Sequence, residues 1–329
     1  MLSEYFYIVN ASIIVIAVAL DWVLADPHHW PHPVRYIGHL LDWMEIKIRE
    51  LFPSESFFIC GISAVVFTVA FVAASVALLT SFSTTGFIGV FVSLYLAYSG
   101  LALRGLIQEA ENVLVELNND NISAARKNAG MIVSRDLSES DESEVRRAVA
   151  ESVSENFNDG FVAPLFWLCL AGPVGLWGYK TVSTFDSMWG YKTERYKDLG
   201  CAGAVLDDIL AWVPARLSAL ALAFAGVSKK NISRTEISTI WKKVSTQAGQ
   251  MESPNAGYPM AMCAHLCKRR MGGPTLYFGE VKEKPVLGEE DTPLWNDEGL
   301  ENLVELVKRA AVICTVAGVV ASLMLGILL

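Results

Sequence analysis

The apolar residues of this chain are gathered in long runs that contain no charge. Residues 57–79 form a stretch of 23, residues 310–329 one of 20, residues 86–103 one of 18 and residues 5–20 one of 16. Crossing the hydrocarbon core takes about 20 such residues, so the pattern predicts about four spanning helices. The N-terminal run has no basic start, carries Glu4 and leads into a polar motif. It is therefore read as a retained helix and not as a signal peptide. Two further apolar stretches are interrupted. Residues 161–179 contain Pro164, Gly172, Pro173, Gly175 and Gly178; residues 209–227 contain Pro214 and Arg216 and are entered through Asp207 and Asp208. Broken or charged helices survive at membrane depth only where protein or a polar cavity surrounds them. This pair is expected to be broken or re-entrant and to line a site.

Between these stretches the sequence reads as helix. Residues 101–117 and 122–133 repeat apolar positions every three or four residues, and Asp141 with Glu144 has the spacing of a capping box opening a helix over 145–157. Pro254, Pro259, Gly272, Gly273 and Pro274 mark loops, and no alternating strand pattern stands out. The fold class is mainly α: a polytopic integral membrane protein with helical cytoplasmic segments. It is organised as one membrane-embedded unit, with N-terminal spans over 1–103, an acidic and broken-helix core over 104–227, a cytoplasmic segment over 228–309 and a terminal span over 310–329.

Basic residues orient the spans. The first ten residues have no Lys or Arg, the 26–56 loop has three, 104–160 has six and 228–309 has twelve. The basic loops belong in the cytoplasm, and so does the 180–202 loop, which carries Lys180, Lys192, Arg195 and Lys197. Composition supports lipid burial: 53% of the 329 residues are apolar and 19% charged, against about 45–50% and about 25% in soluble domains. The net charge of −9 offers no basic field for nucleic acid.

Polar chemistry concentrates in five places. Asp21, Asp26, His32 and Arg35 lie in or beside a Pro/His-rich loop, which reads as a metal site or as a rigid loop with surface histidines. Arg135 and Asp136 precede Glu151, Glu155 and Asp159, whose four-residue spacing puts three carboxylates on one helix face. Lys180, Asp186, Tyr191, Arg195 and Asp198 mix charges that suit phosphate or carboxylate. Asp207, Asp208 and Arg216 sit in an apolar segment, where charge is costly and functional by default. Asn255 and Tyr258 belong to a Ser-Pro-Asn-Ala-Gly-Tyr-Pro loop, followed by Gly272-Gly273-Pro274. The triplet Cys263, His265 and Cys267 has ligand-like spacing but no second half-site.

Taken in order, several motifs resemble one family. They are Pro-His-Pro-Val-Arg (31–35), Glu-Ser-x-x-Glu-Asn-x-x-Asp-Gly (151–160), Val-Ala-Pro-Leu-Phe-Trp (162–167) and Asp-Ser-Met-x-Gly-Tyr (186–191). Glu-Arg-Tyr-x-Asp-x-Gly (194–200), Asp-Asp-x-x-x-Trp-x-Pro-Ala-Arg (207–216), the 253–259 loop and Met-Gly-Gly-Pro (271–274) follow. Together they resemble adenosylcobinamide-phosphate synthase, the CobD/CbiB family, from Asp21 to about residue 279. The resemblance implies a ligase that joins the free propionate of adenosylcobyric acid to aminopropanol, usually as its phosphate, with ATP and Mg²⁺ consumed or required and a corrinoid as substrate. It carries over Glu151, Glu155, Asp207 and Asp208 as catalytic candidates and Asp159, Asp207 and Asp208 as metal candidates. Arg35, Arg135, Lys180, Arg195 and Arg216 become anion binders, Tyr191, Asn255 and Tyr258 pocket residues, and Asp21, Asp26, His32, Asp186 and Asp198 further motif positions. The sequence departs from the family pattern at Ser134, Met260 and Thr275, where Gly, an acidic residue and Asn are frequent. The resemblance also allows homo-oligomers and association with later corrinoid-pathway enzymes. An AmpE-type membrane sensor or a transporter would keep the helices without ligase chemistry.

Overall fold

The computed structural model describes residues 2–25, 32–81, 86–133, 135–228, 234–277 and 280–328. Among these, six helices are long and apolar enough to cross a membrane. The helices are α1 (Leu2–Leu24), α2 (Pro33–Leu51), α3 (Phe57–Ser81), α4 (Phe87–Ser99), α5 (Leu103–Asn118), α6 (Ile122–Ala129), α7 (Glu142–Asn156), α8 (Ala163–Trp189), α9 (Cys201–Ser228), α10 (Arg234–Ala248), α11 (Gly257–Cys267) and α12 (Asp297–Leu328). A π-helical turn, Phe157–Val162, joins α7 to α8. The mainly helical expectation holds: three charge-free runs are helical over their described residues, and the fourth, 86–103, forms α4 and leaves helix at 100–102 before α5. The strand expectation does not: Met271–Tyr277 (β1) and Glu280–Leu287 (β2) form an antiparallel hairpin. Its Gly-Gly-Pro start hid it, because glycine and proline are depleted in strands.

The chain divides into two compact units. The first comprises residues 1–102, 163–211 and 317–329, and the second residues 103–162 and 212–316.

In the first unit α3, α4, α1 and α2 pack on α8. The expected break in α8 is present: Ala171 leaves helical geometry and Gly172 takes φ +60° ahead of Pro173. A break in lipid frees backbone carbonyls that water cannot satisfy. Here α1 supplies the donors, with Asn10 Nδ2 donating to Leu168 O at 2.8 Å and Tyr7 Oη to Leu170 O at 3.3 Å. Replacing Asn10 by Leu should cost about 1 kcal/mol of stability, in the range of single side-chain hydrogen bonds between membrane helices. Thermal unfolding in detergent measures it, and an unchanged midpoint would remove Asn10 from the capping role.

The second break was not found. Helix α9 runs through Pro214 without non-helical residues. Pro214 lacks the N–H that would reach the carbonyl four residues earlier. That carbonyl, Leu210 O, instead accepts from the Trp167 indole at 3.3 Å. The same contact joins a small core of Ala163, Tyr179 and Ala211.

In the second unit α5, α6, α7, the hairpin, α10 and α11 pack together. The capping box is present: Asp141 Oδ1 accepts from Glu144 N at 2.8 Å, and Glu144 Oε2 accepts from Asp141 N at 3.3 Å.

Candidate functional site

The site residues fall into distinct groups within each unit. In the second unit the buried centre is an ion pair. Arg135 Nη1 donates to Glu151 Oε2 at 2.9 Å, and both side chains are more than nine-tenths buried. The remaining Glu151 oxygen accepts from Gly272 N at 2.8 Å. That N–H is available because the hairpin register slips between Met271 and Gly273. Such a bulge diverts one residue from the ladder. Gly272 has φ +77°, and a Cβ there would lie 2.0 Å from Pro285 O, so only glycine fits. Arg147, one turn before Glu151, completes the arrangement by donating to Gly272 O at 2.9 Å and Pro274 O at 3.3 Å. Arg135 also reaches Thr275 Oγ1 at 3.4 Å. The connection that carries Arg135 is pinned by the Arg126 fork on Ser140 O and by Ser152 Oγ on Ile132 O.

Glu151 and Glu155 lie one turn apart on α7, and Asp159 follows in the π turn. Glu151 is buried, Glu155 exposed and Asp159 half-buried. Asp159 Oδ1 accepts from Asn158 Nδ2 at 2.7 Å.

A second group in this unit centres on Arg216. Its guanidinium lies between the Trp212 ring (4.3 Å) and the Tyr258 ring (4.1 Å), a cation–π sandwich. It donates to Asn255 Oδ1 at 2.8 Å and to Pro254 O at 3.3 Å. These contacts gather the expected Arg216, Asn255 and Tyr258, and Arg216 fastens the 253–259 loop.

His265 is buried and committed to neighbours. Its Nε2 pairs with Gln247 Oε1 at 3.0 Å, and its Nδ1 lies 3.5 Å from Glu289 Oε1, which Lys243 also holds at 2.5 Å. Burial pushes the Cys263 thiol up to about 12, away from the thiolate a metal needs. Burial also lowers the His265 pKa, with Lys243 adding to the effect and Glu289 opposing it. The unfolded imidazole takes its proton near the ordinary value of 6.5 while the folded one resists. Stability should therefore fall as pH drops below 6.5, and His265→Gln should flatten that slope. Unfolding midpoints between about pH 7.5 and 5 check this, and equal slopes would refute it.

In the first unit, Asp186 on α8 and Asp208 on α9 are half-buried and within electrostatic reach of each other, next to Asp207. Lys180 lies half-buried on α8, and Asp21 is 1% exposed on α1. His32 Nδ1 accepts from Val34 N at 3.3 Å and caps α2. Arg35 is exposed in the first turn of that helix. Asp26 lies outside the described residues.

The sequence reading missed Glu45. This carboxylate sits on the buried stripe of α2 with Ile37, Leu41 and Ile48. It accepts from Arg49 Nε and Arg195 Nε, both at 2.8 Å, and from Tyr196 Oη at 3.1 Å. Burial pushes its pKa up, but these hydrogen bonds outweigh burial and hold it below the usual range. Arg195, expected to bind an anion, thus anchors the 190–200 connection to α2, while Tyr191 and Asp198 remain exposed. An acid on an apolar helix stripe was the available signal.

Six candidate spans, a capped break in α8 and charged groups held inside helices define a polytopic helical membrane protein. The CobD/Cbib protein family matches residues 14–307, and the chain belongs to that family. A "Cobalamin biosynthesis protein CobD" of Listeria monocytogenes serotype 4b is 36% identical over 89% of this chain and 92% of its own length. One from Clostridium perfringens is 37% identical over 84% and 87%. A "Cobalamin biosynthesis protein CbiB" of Salmonella typhi is 34% identical over 83% and 86%. No solved structure matches the chain. Family membership carries a role in cobalamin biosynthesis.

Proposed function

We propose that the chain is an ATP-dependent ligase that joins the free propionate of adenosylcobyric acid to aminopropanol phosphate, giving adenosylcobinamide phosphate. The observation that supports this most is the carboxylate group Asp186, Asp207 and Asp208, held in two mostly apolar helices. Charge in such a segment is costly unless used.

The chemistry asks for these residue types. A carboxylate resists attack until ATP converts it to an acyl phosphate or acyl adenylate. The amine then attacks the carbonyl carbon, phosphate or AMP leaves, and the ammonium proton passes to a base. Among the described residues no three His, Cys, Asp or Glu side chains converge as a metal cage. A Mg²⁺ bound to nucleotide phosphates asks for only one or two protein carboxylates, so Asp207 and Asp208 fit it; when bound, it would offset phosphate charge. Asp208 or Asp186 takes the proton, and Lys180 in the same unit holds an anion. The active side faces the cytoplasm, where the basic segments 104–160 and 228–309 belong.

Purified full-length protein given adenosylcobyric acid, aminopropanol phosphate and Mg-ATP should form the amide and consume ATP. Folded protein that yields neither amide nor ATP turnover would reject the ligase reading.

A further inference from the structure

The carboxylates proposed to do the chemistry lie on α8 and α9, and one short connection, residues 190–200, joins these helices. We infer that Glu45 and Gly190 are positioning residues. Glu45 ties that connection to α2, Gly190 leaves the space into which the Asp186 carboxylate folds, and together they fix how Asp186 faces Asp208. The inference rests on the ligase reading for the use of the carboxylates, but the tie itself lies wholly in the first unit and is measurable without substrate.

Burial alone would favour an aliphatic residue at position 45. Glu45 is 5% exposed and shares the buried stripe of α2 with Ile37, Leu41 and Ile48. A carboxylate on such a stripe costs desolvation that an aliphatic side chain avoids. What it gains is a set of partners on the connection. Arg195 Nε and Tyr196 Oη reach its two oxygens from there. Arg49, held by the same carboxylate, donates from Nη2 to Arg195 O at 2.5 Å. The Arg49 guanidinium also lies over the Phe57 ring of α3 and the Tyr196 ring, at 5.1 and 5.8 Å. The Arg195 side chain is 64% exposed, so this ion pair orders a surface segment and does not fill a core.

The connection is wound and tight. Gly190 N donates to Asp186 O at 2.7 Å, and Gly200 N to Tyr196 O at 2.7 Å. A Cβ on Gly200 would overlap Trp189 O, and one on Gly61 of α3 would overlap Leu199 O, so backbone meets backbone on both sides. A Cβ on Gly190 would overlap Asp186 Oδ1 and Asp186 O. The Asp186 carboxylate thus occupies the place of the missing side chain. Gly203, one turn before Asp207, lets α9 approach Phe185, the residue before Asp186. Each helical residue turns the side-chain direction by about 100°. A small slip of this joint would therefore turn Asp208 away from Asp186, with which it is in electrostatic reach. Misplacement by about 1 Å can cost about 10²-fold in rate.

The test combines hydrogen exchange read by mass spectrometry with steady-state amide formation, on the full-length protein in detergent. Glu45→Leu suits the apolar stripe, so it should fold and melt near the wild type. It should raise exchange over residues 190–208 and leave α7 (Glu142–Asn156) of the second unit unchanged. It should also lower kcat by about ten- to a hundredfold with KM unaltered. Glu45→Gln keeps an acceptor and should retain more of the kcat than Glu45→Leu. Gly190→Ala leaves Glu45 and its partners in place, so kcat should fall while exchange over 194–200 stays as in the wild type. If Glu45→Leu does not fold, Arg195→Ala, on an exposed side chain, removes the tie instead. Wild-type exchange over 190–208 in the folded variant overturns the tie. Wild-type kcat in that variant overturns the positioning role of Glu45, and a lowered melting temperature with normal kcat makes it a structural residue. A fully active Gly190→Ala protein overturns the role of Gly190. Wild-type protein that forms no amide rejects the ligase reading alone, and the exchange result then decides the tie by itself.

Discussion

Asp208→Asn is expected to abolish amide formation while leaving the protein folded and inserted in the membrane. Asparagine has nearly the same shape, so the packing of α8 and α9, in which Asp186 and Asp208 lie within electrostatic reach of each other, is kept. Under the proposed roles, the same change removes a hard anionic oxygen from the metal and a base from the amine. General acid–base loss alone lowers rates by about 10²–10⁴-fold. An active Asp208→Asn enzyme would take this residue out of the site. An inactive variant with a lowered unfolding temperature would make it a structural residue. Amide formation, unfolding temperature and membrane fractionation decide between these outcomes.

This prediction could be framed from sequence because Asp207 and Asp208 stand out against an apolar run. The four charge-free helices were legible for the same reason, since length without charge is a one-dimensional property. The α8 break was legible through Gly172-Pro173, and the α7 start through Asp141 and Glu144. What failed needs information that is not local. No residue pattern announces the π turn at 157–162, which is one extra residue absorbed in a helix. Pro214 was read as a break because proline removes a helical N–H. The carbonyl it strands is satisfied by Trp167, 43 positions earlier. Glu45 and Arg195 lie 150 positions apart, and nothing near either residue names the other.

Arg135, Glu151 and Gly272 carry the same lesson into energetics. Sequence reading assigned Arg135 to anions and Glu151 to catalysis, whereas both oxygens of Glu151 are engaged in holding Arg135 and the bulged strand. Glu151→Ala is therefore expected to destabilise the protein by about 3–5 kcal/mol, the cost of leaving one buried ion without its partner. The Arg135 side chain, 5% exposed, would keep its charge in place, and Gly272 N would lose its acceptor. Arg135→Met combined with Glu151→Leu removes both charges, so it should recover most of that stability, because a buried pair replaced by apolar groups is often neutral or better. Unfolding midpoints in detergent for the single and double variants measure both effects. A Glu151→Ala protein that melts with the wild type would show that the ion pair does not hold β1 to α7.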